Sequence, residues 1–410
     1  MFIRCRKVKN GSTRVQIVET YRVGNKIIQK VLRHAGTAKN DRELEELKRV
    51  AEYLKETIEA ELNPKLFTKE HFPEKVAKSR LAQVETELPM LVNLHNLREE
   101  ARIITGFHEI YGRLFDAVGY GTVLKSSKVS NRIFKDIVLA RLAQPVSKRA
   151  SCEMLESNFG ISYNLEQIYR MLDAIKSEKK NAKNEVVLID KIPDIQNITF
   201  QYSKRLLSGK VSLFFYDCTT LYFESFTEDE LRRFGYSKDH KFNQGQVLLA
   251  LTVTEEGLPV GYEVFAGNMY EGDTFSLAIN KLKEKYSFAV LSQYHGLWQV
   301  EESFRIEKHD LRMRPVFHWS PDRIKAHLAI CFVAFSLIRF LQHHIKKETN
   351  ELFSARRISM ELSSVQESIL YDVRDKNNRY VIPSKSSDNV LLIYKTMKIN
   401  RNPVPYKLKE

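Results

Sequence analysis

An aspartate follows the apolar run Val211-Ser-Leu-Phe-Phe-Tyr216, and further along Glu301 is flanked seven residues away on either side by Tyr294 and Lys308. Seven residues is about two helical turns, so Tyr294, Glu301 and Lys308 share one face of a helix. A carboxylate at the end of a buried strand, Asp217, stands where α/β sheets commonly place ligands. Each feature also has a plain structural reading. Thr219 and Thr220 follow Asp217, as they would follow a turn or cap aspartate, and an acid with a lysine on one helix face is often only a surface pair. Trp298, Val300, Phe304 and Ile306, however, make the Glu301 segment unusually apolar for a solvated face.

A second group of candidates is basic. Residues 1–40 hold ten Lys and Arg and one acid, Glu19, and so carry most of the chain's net charge of +14. Residues 371–410 hold nine basic and four acidic side chains. Charge concentrated in this way favours a polyanion, most simply nucleic acid, over a solvated basic surface or a ribosome-type contact. Residues 13–33 alternate as strands do, and Gly24-Asn25 is a two-residue hairpin signal. Arg14, Arg22, Lys26 and Lys30 are expected to share one face of that hairpin.

The elements around these residues follow from periodicity. Leu44, Leu47, Ala51, Leu54 and Ile58 form one seam, which predicts a helix over 41–60 whose role is packing or self-association. Residues 63–100 mix prolines with charges and are expected to be a linker. A helical block runs from 107 to 180, with one stripe ended by Gly119, another ended near Pro145, a short helix opened by Ser147, and a last one capped by Asn164. Short helices with basic connections suit a DNA-binding domain as well as an all-α packing domain. From Lys210 the period changes to strands: 211–216 ending at Asp217, then 246–254, then 258–265. A helix over 274–286, a short strand at Phe288–Leu291, a helix over 297–308, and a helix opened by Ser320-Pro321-Asp322 follow. Three strands followed by helices predict an α/β layer.

Hydrophobic residues make up 43% of the 410, enough for a substantial core and against wholesale disorder. No run approaches the roughly 18 consecutive apolar residues of a membrane span, and the longest, Leu328–Phe335, reads as a buried helix. Neither a membrane partner nor a secretory signal is expected. Four cysteines lie far apart without a CxxC pair, which fits a reducing cytoplasm and argues against a zinc ribbon or a disulfide framework.

The segment Tyr294-His-Gly-Leu-Trp-Gln-Val-Glu301-Glu-Ser-Phe-Arg-Ile-Glu-Lys308 resembles the Tyr-x2-Arg-x3-Glu-x6-Lys signature of bacterial DDE insertion-sequence transposases, with Leu297 in the arginine position. Phe-Tyr-Asp217-Cys-Thr-Thr-Leu-Tyr-Phe-Glu is similar to the family's first-aspartate strand. Gly235-Tyr-Ser-Lys-Asp-His, Gly267-Asn-Met-Tyr-Glu-Gly-Asp-Thr274 and Arg314-Pro-Val-Phe-His-Trp are similar to the segments around it. The resemblance covers roughly 200–345 strongly and the N-terminal half more loosely.

The resemblance implies a ribonuclease-H-like core in which two aspartates and a glutamate hold two Mg²⁺ (or Mn²⁺) ions for in-line attack on a phosphodiester. It implies Asp217 as the first carboxylate, Glu301 as the third, Lys308 as a phosphate contact and Tyr294 as a positioning residue. The second aspartate is missing: no aspartate lies between Thr274 and Tyr294. Intact relatives also carry a sizeable further segment there, so an internal deletion joins the two sides near 287–293, and Asp273 is a poor substitute ligand. The expected organisation is a basic hairpin plus helix contacting DNA (1–62), a linker (63–100), a helical domain (101–195), an incomplete ribonuclease-H-like domain (200–345) and a basic C-terminal tail (346–410). The expected function is transposition: cutting transposon ends and joining them to target double-stranded DNA, in a bacterial cytoplasm at the nucleoid, with a homodimer possible. The chain is expected to be catalytically defective. The alternative is a non-catalytic DNA-binding remnant that inhibits an intact transposase. A stand-alone metal-dependent nuclease is weaker, because it needs the same missing ligand.

Overall fold

The computed structural model describes residues 1–8, 11–23, 26–38, 40–62, 92–180, 184–209, 211, 214–223, 228–235, 244–286, 298–306, 310–311, 313 and 320–408. These form two units, Met1–Val92 and Asn93–Glu410.

In the first unit, β1 (Phe2–Lys7), β2 (Thr13–Val23) and β3 (Lys26–Ala38) make an antiparallel sheet in the order β1-β2-β3, followed by helix α1 (Asp41–Leu62). Asn40 opens the helix by accepting a hydrogen bond from the Glu43 N–H at 2.9 Å. Alternation in β2 turns Val15 and Ile17 toward Leu44, Leu47, Ala51 and Leu54 of the helix, and this small core joins α1 to one sheet face. Gly36 permits the approach. A Cβ at that position would lie 2.8 Å from Leu47 Cδ2, and its φ of +150° suits glycine.

The second unit is mixed α/β with several small sheets. In chain order it runs β4 (Leu97–Ile104), α2 (Gly106–Val118), α3 (Lys128–Ala143), α4 (Lys148–Phe159), α5 (Leu165–Ile175), β5 (Lys176–Lys180), β6 (Val186–Asp190) and α6 (Ile192–Leu206). It continues β7 (Phe214–Tyr222), β8 (Gln246–Thr254), β9 (Pro259–Ala266), α7 (Glu271–Tyr286), α8 (Trp298–Arg305), α9 (Pro321–Thr349), α10 (Ala355–Ser364), β10 (Gln366–Asp372), β11 (Asp375–Pro383), α11 (Asp388–Thr396) and β12 (Tyr406–Lys407). The local signals are physical. Gly119 ends α2 with φ +109°, Ser147 caps α4, Asn164 and Gln167 form a capping box on α5, and Ser320 caps α9 with Pro321 in its first turn.

Helix α9 is the axis of this unit. By length and composition it is apolar enough to cross a membrane, yet 89% of that window is buried inside the fold. Phe332, Phe335 and Phe340 of α9 belong to one continuous core with Phe107, Phe134, Leu172, Ile195, Leu251, Phe304, Ile358 and Ile393. The helical block and the strand-rich region therefore share a single core and do not form the separate 101–195 and 200–345 domains expected from the sequence. Two other boundaries change. Residues 97–104, placed in the linker or at the domain start, form β4 and pair antiparallel with β10. Residues 346–410 are not a tail: α10, β10, β11 and α11 fold back, because Ile358, Leu362, Val390 and Ile393 have an apolar face to bury. At 176–180 strand pairing with β6 replaces the expected helix end. The expected short strand at Phe288–Leu291 lies outside the described residues.

Candidate functional site

Strands β7, β8 and β9 form an antiparallel meander in that order, and its two faces are distinct. Tyr216 and Cys218 point to the face that α7 covers. The Tyr216 hydroxyl donates to Thr274 Oγ1 at 3.0 Å, Cys218 Sγ lies 3.2 Å from the Tyr216 oxygen, and Leu248, Ala250, Phe265 and Ala278 close the layer. Burial, with Cys218 adding to it, pushes the Tyr216 hydroxyl well above the usual tyrosine range, so it stays a neutral donor. Side chains alternate along a strand, so Asp217, between Tyr216 and Cys218, belongs to the opposite face.

That face carries Phe215 and Leu221 from β7 and Val247, Leu249, Leu251 and Val253 from β8, with Asp217 in register with Leu251. Helix α8 packs on β7 and β8, and its Phe304 joins the same core. Glu301 stands one turn before Phe304 in α8, so the helix that carries it lies over the Asp217 face of the sheet. The Glu301 side chain, Tyr294 and Lys308 lie outside the described residues. Asp217 itself is exposed and accepts a hydrogen bond from the Cys218 N–H at 2.8 Å. It sits inside the strand rather than at its end, because Thr219 to Tyr222 continue the ladder with Gln246 to Leu249. The next α8 residue, Glu302, makes a bidentate pair with Arg305 at 2.6 Å, which holds its carboxyl below the usual range.

The structure joins two motifs that are separate in sequence. Gly235 and Gly267 meet at the start of β8. The Gln246 backbone exchanges hydrogen bonds with Arg233 at 3.0 and 3.1 Å, while the buried Gln246 side chain donates to Gly267 O at 2.9 Å. A Cβ on Gly267 would lie 2.1 Å from Gln246 O, and one on Gly235 would lie 2.2 Å from Gly267 O. These glycines are needed for backbone contact and shape the loop that leads into α7.

Asp273 is exposed in the first turn of α7, on the helix that covers the Tyr216 face. It is therefore placed across the sheet from Asp217. Among the described residues no three His, Cys, Asp or Glu side chains converge as a metal site. The residue in register with Asp217 on its own face, Leu251, is apolar.

In the first unit, the hairpin register divides the four basic residues expected to share a face. Directly paired residues lie on the same face. Lys30 pairs with Glu19 and Lys26 with Val23, both in the odd-numbered set of β2, whereas Arg14 and Arg22 belong to the even-numbered set. Arg4 pairs with Gln16 and Arg6 with Arg14, so β1 adds two arginines to the even face. Sequence alternation across the first hairpin, once β1 is recognised, carries that signal.

No protein-family model matches the chain. No curated protein matches it either.

Proposed function

We propose that this chain is a transposase of the DDE insertion-sequence type that has lost its second catalytic aspartate, built on an incomplete ribonuclease-H-like core. The reading rests on the linked motifs from Asp217 to Lys308. The observation that carries it furthest is that the helix bearing Glu301 covers the same face of the antiparallel meander as Asp217. One aspartate and one glutamate leave a two-ion site without a third carboxylate to fix it. A small misplacement at such a site costs about a hundredfold in rate. On this reading the present chain binds double-stranded DNA at transposon ends in a bacterial cytoplasm, as a monomer or homodimer, and does not cut it. Its effect on an intact transposase is inhibition by occupying the same ends.

The test is strand cleavage on duplexes taken from the DNA flanking its gene, with Mg²⁺ or Mn²⁺. The unmodified chain is expected to be inactive. Splicing the corresponding segment of an intact relative between Tyr286 and Tyr294 is expected to restore cleavage, and Asp217→Asn or Glu301→Gln in that chimera to abolish it again. Robust cleavage by the unmodified chain, or a chimera indifferent to Asp217, would reject the reading.

A further inference from the structure

The two faces of the first unit differ in charge and cover. Helix α1 buries the odd-numbered face of β2, and with eight acids against four bases it is net negative. The opposite face presents Arg4 and Arg6 from β1, Arg14 and Arg22 from β2, and Gln29 and His34 from β3 around a buried centre of Gln16 and Val18, with no acid at its paired positions. Arg6, Arg14, Arg22, Gln29 and His34 are exposed. Arg4 is braced: its guanidinium donates to Gln16 Oε1 at 2.9 Å and to Gln29 Oε1 at 3.3 Å, and the Gln16 amide lies 3.0 Å from His34 Nδ1.

We propose that this sheet face, and not the hairpin tip with Lys26 and Lys30, docks into the major groove of duplex DNA and reads base edges there. The proposal rests on the DNA-binding reading above and specifies its surface. Three reasons support it. First, the dipolar charge permits one orientation only, because an acidic helix directed at the phosphates would be repelled. Second, three strands about 4.8 Å apart present a surface roughly 10 Å across, which fits a groove about 12 Å wide. Third, the side chains are of the right kinds. Arginine pairs bidentately with guanine and glutamine with adenine, while arginines along the sheet margin meet phosphates. A braced guanidinium also loses less rotamer freedom on binding.

The full chain is tested on a pool of random 30-base-pair duplexes, with binding followed against salt and bound sequences recovered. Joint replacement Arg6→Gln, Arg14→Gln and Arg22→Gln is expected to flatten the log–log salt slope by about two to three units, at roughly 0.9 per lost contact. The pair Lys30→Gln and Arg33→Gln is expected to change it by less than one contact. Gln29→Ala is expected to remove one preferred base position from the recovered motif with little loss of non-specific affinity. All these positions are exposed, and unchanged circular dichroism and melting confirm the fold. If wild-type chain binds duplex DNA and the Lys30/Arg33 pair carries the slope, the face assignment falls and the DNA-binding reading stands. Recovery of single-stranded RNA in preference to duplex in a competition assay also overturns the proposal. If wild-type chain binds no duplex, both readings fall together.

Discussion

Lys148 Nζ lies 3.2 Å from His327 Nδ1, and both side chains are buried, at 5% and 4% exposure. Cys331 Sγ lies 3.7 Å from His327 Nε2 on the far side of the ring. Burial first, and the nearby Arg141 charge second, hold the Lys148 ammonium down to about 7 from its ordinary 10.5. The folded chain therefore binds fewer protons than the unfolded chain between these values. Stability contributed by this group rises with pH across that window and is lowest below pH 7. Lys148→Met is expected to stabilise the chain by about 1–2 kcal/mol at pH 7. The gain should fall at a rate approaching about 1.4 kcal/mol per pH unit above pH 7, cross zero at about pH 8 to 9, and become a loss toward pH 10. Urea midpoints at pH 7, 8 and 9 check this, and parallel pH curves for the two proteins would refute it.

The glycine contact at the start of β8 makes a second expectation. Gly267→Ala places a Cβ 2.1 Å from Gln246 O, a backbone atom that cannot move aside without breaking the ladder. A loss of about 2 kcal/mol or more is expected, and a similar one for Gly235→Ala. The double variant should lose less than the sum, because both substitutions disturb one contact. Thermal unfolding of the two single variants and the double variant measures the coupling. Additive losses would mean the contact is not shared.

Arg323 at the start of α9 forms a bidentate pair with Asp173 of α5, at 2.9 and 3.0 Å, with its guanidinium 4.8 Å from the Tyr169 ring centroid. Lysine cannot reproduce the fork or the planar stacking. Arg323→Lys is expected to cost about 0.5–1.5 kcal/mol, and the difference should narrow in high salt because the pair is partly exposed. A salt-independent difference in denaturation midpoint would place the loss in packing rather than in charge.

Features set by a few adjacent residues were legible in the sequence: the stop at Gly119, the caps at Ser147, Asn164 and Ser320, and the β2–β3 hairpin. Features set by distant partners were not. Nothing in Leu97–Ile104 announces a strand whose partner is Gln366–Asp372, and Lys176-Ser-Glu-Lys-Lys180 becomes a strand only because Val186–Asp190 lies beside it. The same limit applied at the candidate site. Asp217 was identifiable by its apolar neighbours, yet its place inside the strand depended on pairing with β8. The basic residues were visible as a cluster, while their division between two faces required the register of β3, which slips at Ala35 and Leu32.

The pairing of β4 with β10 has a consequence for how the protein is made. These strands are about 270 residues apart, and they flank nearly all of the second unit. At about 5–20 residues per second, a ribosome that has released β4 takes on the order of 10–50 s to deliver β10. Throughout synthesis of the helices and the meander, β4 has no sheet to join. On the transposase reading proposed above, a deletion near residues 287–293 would fall between these two strands in sequence, and a flexible loop's closure entropy changes by only about 0.6 kcal/mol per doubling of its length. Such a loss would leave both halves of the β4–β10 clasp in the chain.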